Sequence, residues 1–145
     1  AKPGVSTVLR RLSEILFVQA LRTYLKAPRG YQGWLAALTD EDLGPVMAAL
    51  HRTPEHTWKL EEMADLANVS RSSFAARFKA VVGTTPLDYL TQWRMYLAAN
   101  LLSEEGASVA EVAERIGYEF EQSFTRAFRR QMGISPGRYR IQHYR

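Results

Sequence analysis

The chain has 145 residues, 46% hydrophobic and 23% charged, enough to bury the core of one or two small domains. Its formal charge is +4 and its pI about 9.6, a balance that favours a polyanionic partner. The absence of cysteine excludes a disulfide scaffold, thiolate catalysis and Cys-based zinc sites and fits a reducing cytoplasm, and no apolar run is long enough for a membrane span. The N-terminus lacks the basic, apolar, small-residue order of a signal peptide, and it begins with Ala1 rather than Met, so the chain reads as a fragment of something longer.

Val5 to Lys26 predicts an amphipathic helix. Val8, Leu9, Leu12, Ile15, Leu16, Leu21, Tyr24 and Leu25 recur at three- and four-residue steps, with Phe17, Val18 and Ala20 broadening the apolar face. It reads equally as a core helix or as a dimerisation or interdomain helix. Ala27 to Gly33, with Pro28, Gly30 and Gly33, reads as a linker, and Gly33-Trp34-Leu35 opens a short apolar patch. Thr39 or Asp40 can cap a helix running to about His51, which Thr53-Pro54 breaks. The expected division is therefore 1–42, linker or dimerisation helix and connection, and 43–145, a paired helical domain.

One pattern then occurs twice. Leu60, Met63, Ala64, Phe74, Phe78, Gly83, Pro86 and Tyr89 return as Val109, Val112, Ala113, Phe124, Phe128, Gly133, Pro136 and Tyr139. The first three pairs are offset by 49 positions and the rest by 50, so one residue was gained or lost near the turn after Asn68. Each copy predicts a short helix, a turn and a second helix. In the first, Leu60 to Ala67 is followed by an Asn68-Val69 turn, a Ser70 cap and a helix ending at Gly83. In the second, Ser108 to Glu111 is a capping box, Gly117 makes the turn, and the next helix runs from about Glu119 or Glu121 to Met132. Lys59 stands where the second copy has Ser108, leaving Thr57 as the substitute cap.

Thr85-Pro86 and Ser135-Pro136 start further helices. The helix from Pro86 runs to about Glu105, with Gly106 ending it, and spans on the order of 30 Å. Leu87, Leu90, Trp93, Leu97, Leu101 and Leu102 follow helical spacing along it. No strand-like alternation occurs, so the fold class is all-α: two helix-turn-helix subdomains joined by a long helix and preceded by a linker helix.

In a helix-turn-helix the second helix enters the DNA major groove, with its N-terminal residues at base edges. With Phe74 and Phe78 inward, Ser72, Ala75, Ala76 and Lys79 face outward. With Phe124 and Phe128 inward, Gln122, Thr125, Arg126 and Arg129 face outward, with Glu121 near the edge. Arg can grip guanine, Gln can pair with adenine, and Thr can meet a base or a thymine methyl. Arg129, Arg130, Arg138 and Arg140 form a basic edge for phosphates, as do Arg71 and Lys79 in the first copy, whose alanines offer only methyl contacts. Helical turns of B-DNA lie about 34 Å apart, so a connecting helix of this length suits two adjacent major-groove segments.

His51, His56 and His143 have no metal-ligand spacing, there is no Gly-rich phosphate loop or nucleophile elbow, and Glu61-Glu62 and Glu104-Glu105 read as helix-end charges. No metal, cofactor or enzymatic activity is expected. Trp58, Trp93 and the Phe and Tyr residues of the repeat read as core.

Trp58 to Ala64, Val69 to Phe74 and Phe78-Lys79 resemble the first helix-turn-helix of the AraC/XylS family of bacterial transcription regulators. Val112-Ala113, Gly117 to Glu119, Ser123 to Arg130 and Gly133 to Arg140 are similar to that family's C-terminal signature. The resemblance covers about residues 43 to 143. The stretch before it resembles the linker of a subgroup with a cupin-like sensor. The resemblance implies a cytoplasmic, sequence-specific binder of double-stranded DNA that acts as an activator through RNA polymerase. A homodimer, formed through the N-terminal helix or a missing sensor domain, is compatible with this reading. By position it implies base readers at Glu121, Gln122, Ser123, Thr125 and Arg126, and at Ser72, Ala75 and Ala76. Family members often carry a larger polar or basic side chain at the position of Ala76. The Cys-dependent DNA-repair relatives of the fold are excluded by the lack of cysteine. The alternative to DNA binding is a helical protein-interaction module on the same scaffold.

Overall fold

The computed structural model describes residues 10–19, 33–104 and 107–144. By its contacts the chain divides into Ala1–Gln32 and Gly33–Arg145. In the first unit, residues 10–19 are helical (α1), and Leu12, Ile15, Leu16, Phe17 and Val18 are all substantially exposed. The remainder of the expected Val5–Lys26 helix, the linker up to residue 32 and the stop at Gly106 lie outside the described residues.

The second unit holds α2 (Trp34–Thr39), α3 (Leu43–Arg52), α4 (Leu60–Leu66), α5 (Arg71–Val82), α6 (Pro86–Glu104), α7 (Val109–Arg115), α8 (Glu121–Met132) and α9 (Pro136–His143). All regular structure among the described residues is helical. The helix α2 was not anticipated: Trp34 and Leu35 were expected only to open an apolar patch. It packs on α3 and α5, and the Gly33 N–H just before it donates to the Val81 carbonyl at 2.7 Å.

Local chemistry accounts for most of the other boundaries. Ser70, Ser108 and Ser135 each accept from the backbone N–H three residues on, and Thr85 does the same for Asp88. Glu111 reaches back to the Ser108 N–H at 2.8 Å and completes the capping box. At Lys59, whose side chain can accept nothing, Glu62 alone reaches back to the backbone N–H at 2.9 Å, so the helix start is held by Glu62 and not by Thr57. Asp40 receives the N–H groups of Asp42 and Leu43 at 2.9 and 3.0 Å and so anchors the start of α3.

Two separate cores result. Leu43, Val46, Met47, Leu50, Met63, Ala64, Phe74 and Phe78 build the first around Tyr89 and Leu90 of α6. Val112, Ala113, Ile116, Phe124, Ala127 and Phe128 build the second around Met95, Ala98, Ala99 and Leu102. At about 100° per residue these two sets lie on roughly opposite sides of α6. The long helix therefore changes its buried face midway. The ring packing is copied with the repeat. Phe74–Phe78 and Phe78–Tyr89 centroids are 5.7 and 5.9 Å apart, and Phe124–Phe128 and Phe128–Tyr139 are 5.6 and 5.4 Å apart. Such edge and tilted pairs add about 0.5–1.5 kcal/mol each beyond the area they bury.

Candidate nucleic-acid interface

Both turns close by the same bonds. Val69 N–H donates to Ala64 and Tyr118 N–H to Ala113, at 3.1 and 2.9 Å. Left-handed residues stand at equivalent points, Asn68 at φ 56° and Gly117 at φ 89°. These features keep the 49-residue offset. The next ones, Ser70 before α5 and Phe120 before α8, are 50 apart. The additional residue of the second copy therefore falls between Tyr118 and Phe120, at Glu119, just past the turn.

Phe74, Phe78, Phe124 and Phe128 are fully buried, which points the opposite faces of α5 and α8 outward. On α8, Glu121, Gln122, Ser123, Arg126, Arg129 and Arg130 are exposed, and Thr125 is half-buried. On α5, Arg71, Ser72, Ala76 and Lys79 are exposed, and Ala75 is half-buried at the position matching Thr125. The two faces thus share geometry and differ in chemistry. One offers two long hydrogen-bonding side chains at its centre, and the other offers methyl groups.

Electrostatics separates the cations. Arg71 pairs with Glu61 at 2.9 Å, an exposed pair weak enough to exchange for a phosphate. Arg77, which the sequence pattern did not single out, is committed elsewhere. It grips both oxygens of Asp40 at 2.8 and 3.0 Å and reaches Asp42 at 2.7 Å, tying the α2–α3 corner to α5. Burial would raise the Asp40 pKa. The bonds from Arg77 and from the Leu43 and Asp42 N–H groups outweigh burial and hold it below the usual 3.8.

Phe120 is a second residue that the sequence pattern does not single out. It stands at the N-cap of α8 with no side-chain cap bond, where α5 has Ser70, and it is 63% exposed. A large apolar side chain in water at a position that favours a small polar one was the available signal.

Arg94 is a third. Its Nε donates to the Pro54 carbonyl at 2.6 Å and its Nη2 to the His56 carbonyl at 2.8 Å, and its guanidinium lies 5.7 Å from the Tyr118 ring centroid. Burial lowers its pKa, opposed by Tyr118 and Glu55.

The histidines each have a local partner. His51 meets the Tyr89 hydroxyl, His56 meets Glu62 at 3.0 Å, and His143 meets the Tyr139 carbonyl at 2.9 Å. Trp58 packs on the first core and donates to the Thr53 carbonyl, as expected of a core indole. Trp93 does not join either core. It is stacked between His51 and Tyr96 on the wall of an open cleft of about 490 Å³, because α6 switches faces beside it.

Residues 63–142 match the family model described as a helix-turn-helix domain. Among relatives, a Streptomyces lividans protein described as an AraC-like transcription regulator is 45% identical over 141 residues, 96% of this chain and 46% of its own length. The transcriptional activator RclR of Escherichia coli is 38% identical over 97% of this chain and 49% of its own. The chain thus spans about half the length of these relatives. Among solved structures, the DNA-binding domain of AdpA in complex with a target DNA superposes with a TM-score of 0.68 and 34% identity, covering 71% of this chain and 93% of that one. The C-terminal domain of the response regulator AraT from Geobacillus stearothermophilus gives a TM-score of 0.68 at 29% identity, over 73% and 88% of the two chains.

Proposed function

The chain belongs to the AraC-type helix-turn-helix family of transcription regulators, and we propose that α5 and α8 dock in adjacent major-groove segments of one DNA face. The observation that carries this reading is the exposure of Gln122, Arg126 and Arg129 on the side of α8 opposite its buried phenylalanines. In this role Arg126 and Gln122 hydrogen-bond base edges, while Glu121, Ser123 and Thr125 complete the contact. Arg129 and Arg130 meet phosphates, and Phe120 offers its ring to a thymine methyl or a sugar beside them. On α5, Ser72, Ala75 and Ala76 allow close approach and methyl contact, with Arg71 and Lys79 on phosphate. The resulting operator has two half-sites, the one under α8 being the more stringent.

The function is binding rather than catalysis. As part of a longer regulator, the chain would act in the bacterial cytoplasm, as an activator that engages RNA polymerase. The exposed stripe of Leu12, Ile15 and Leu16 on α1 supports a role for that helix in pairing with a second copy.

Fluorescence anisotropy against a random duplex at two salt concentrations tests the DNA-binding reading. Binding that strengthens several-fold as salt falls is expected from phosphate contacts. No binding at low salt would overturn the reading in favour of a protein-interaction module.

A further inference from the structure

The two helix-turn-helix halves have separate cores on opposite sides of α6, and no core shared among the described residues fixes their relative twist. Contacts around Arg94 supply that restraint. From α6 its guanidinium donates to the carbonyls of Pro54 and His56, in the segment that leads from α3 into the first helix-turn-helix. The same group lies over Tyr118, in the turn of the second helix-turn-helix. Beside Tyr118, Gly117 sets its backbone directly against Glu55, the residue between the two carbonyls. One short stretch, Pro54 to Glu55 to His56, is therefore held by the connecting helix and by the second turn at once. The bonds are charge-assisted, and the fork geometry of Arg lets one side chain make both.

We propose that Arg94 is the positioning residue that fixes the distance and phase between the two half-sites this chain accepts. The proposal rests on the two-segment DNA reading above. Each base pair added between half-sites moves the second by about 3.4 Å and turns it by about 34°. A rigid pair of halves cannot follow that turn, so the DNA must be deformed at an energetic cost. A pair free to twist about α6 can follow it. Spacing selectivity then comes from a residue that touches no DNA.

The test compares the chain with Arg94→Met, Arg94→Lys and Gly117→Ala on duplexes whose inner spacing is changed by one base pair either way. The unaltered chain should lose about tenfold or more at both altered spacings, and Arg94→Met and Gly117→Ala should flatten that loss to about threefold or less. Arg94→Lys, which keeps the charge over Tyr118 without the planar fork, should fall between. An unchanged spacing profile in Arg94→Met, with its helical content retained, would overturn the proposal. A second measurement needs no DNA. The chain has no cysteine, so Ala80→Cys and Gln131→Cys place spin labels only on exposed positions of α5 and α8. Their distance distribution should be narrow and should broaden with Arg94→Met. Equal widths would refute the clamp, whereas a clamp that broadens as expected in a chain that binds no duplex would refute the DNA reading instead.

Discussion

Gly117 lies against the backbone of Glu55 so closely that a Cβ built on it would come within 2.8 Å of the Glu55 Cα and closer still to its carbonyl oxygen. Gly133 has a similar positive φ, 80° against 89°, but open space around it. The pair separates backbone strain from steric contact. Gly133→Ala should cost about 1–2 kcal/mol through strain alone. Gly117→Ala should cost clearly more, because backbone atoms must also move. Urea unfolding of the two variants checks this, and equal losses would contradict the contact.

Arg126→Ala should cost about 1–3 kcal/mol of binding at one base position and relax the preference there. Lys79→Ala should weaken specific and random DNA alike and lower the salt slope by about 1. Titrations of both variants on specific and random duplexes distinguish base reading from phosphate anchoring. Equal loss on the two DNAs for Arg126→Ala would remove it from the reading set.

Phe120→Ser restores at α8 the cap that Ser70 provides at α5. It should therefore stabilise the chain by about 1 kcal/mol while weakening DNA binding. Replacing thymine by uracil across the α8 half-site removes only methyl groups. The unaltered chain should bind the uracil duplex more weakly, and Phe120→Ser should discriminate less. A less stable Phe120→Ser protein would show that the ring is structural.

Asp40 links the start of α3 to Arg77 of α5, and those bonds favour its ionised form. A carboxyl whose folded pKa is lowered stabilises the fold fully above its usual 3.8 and loses that contribution as pH falls through the folded value. Arg77 is nearly half exposed, so the ion pair itself contributes little. Asp40→Asn keeps a capping oxygen and removes only the charge, so it should cost less than about 1 kcal/mol at neutral pH. Thermal melts should show that deficit shrinking as pH drops below 4. A deficit independent of pH would mean that the charge is not involved.

The paired heads are legible in the sequence because their determinants are local. Serine caps, left-handed glycines and phenylalanines one helical turn apart act within a few residues of where they stand. Helix α2 is not legible in the same way. Its N-cap residue, Gly33, makes no side-chain cap bond, and the helix is held by packing on α3 and α5. Arg94 is hidden for another reason: its partners are backbone carbonyls 38 and 40 positions away, which carry no side-chain pattern. Trp93 was misplaced in the core because a single wheel cannot describe a helix that buries opposite faces at its two ends. The exposed faces of α5 and α8 follow from the sequence, since the buried phenylalanines fix the phase of each helix. The half-burial of Ala75 and Thr125 reflects their place at the edge of those faces.

Selection of bound sequences from a random DNA pool tests the central claim most directly. Two half-sites about one helical turn apart are predicted, at one spacing, with the sharper base preference under α8. A single enriched half-site, or a sharper preference under α5, would contradict the account.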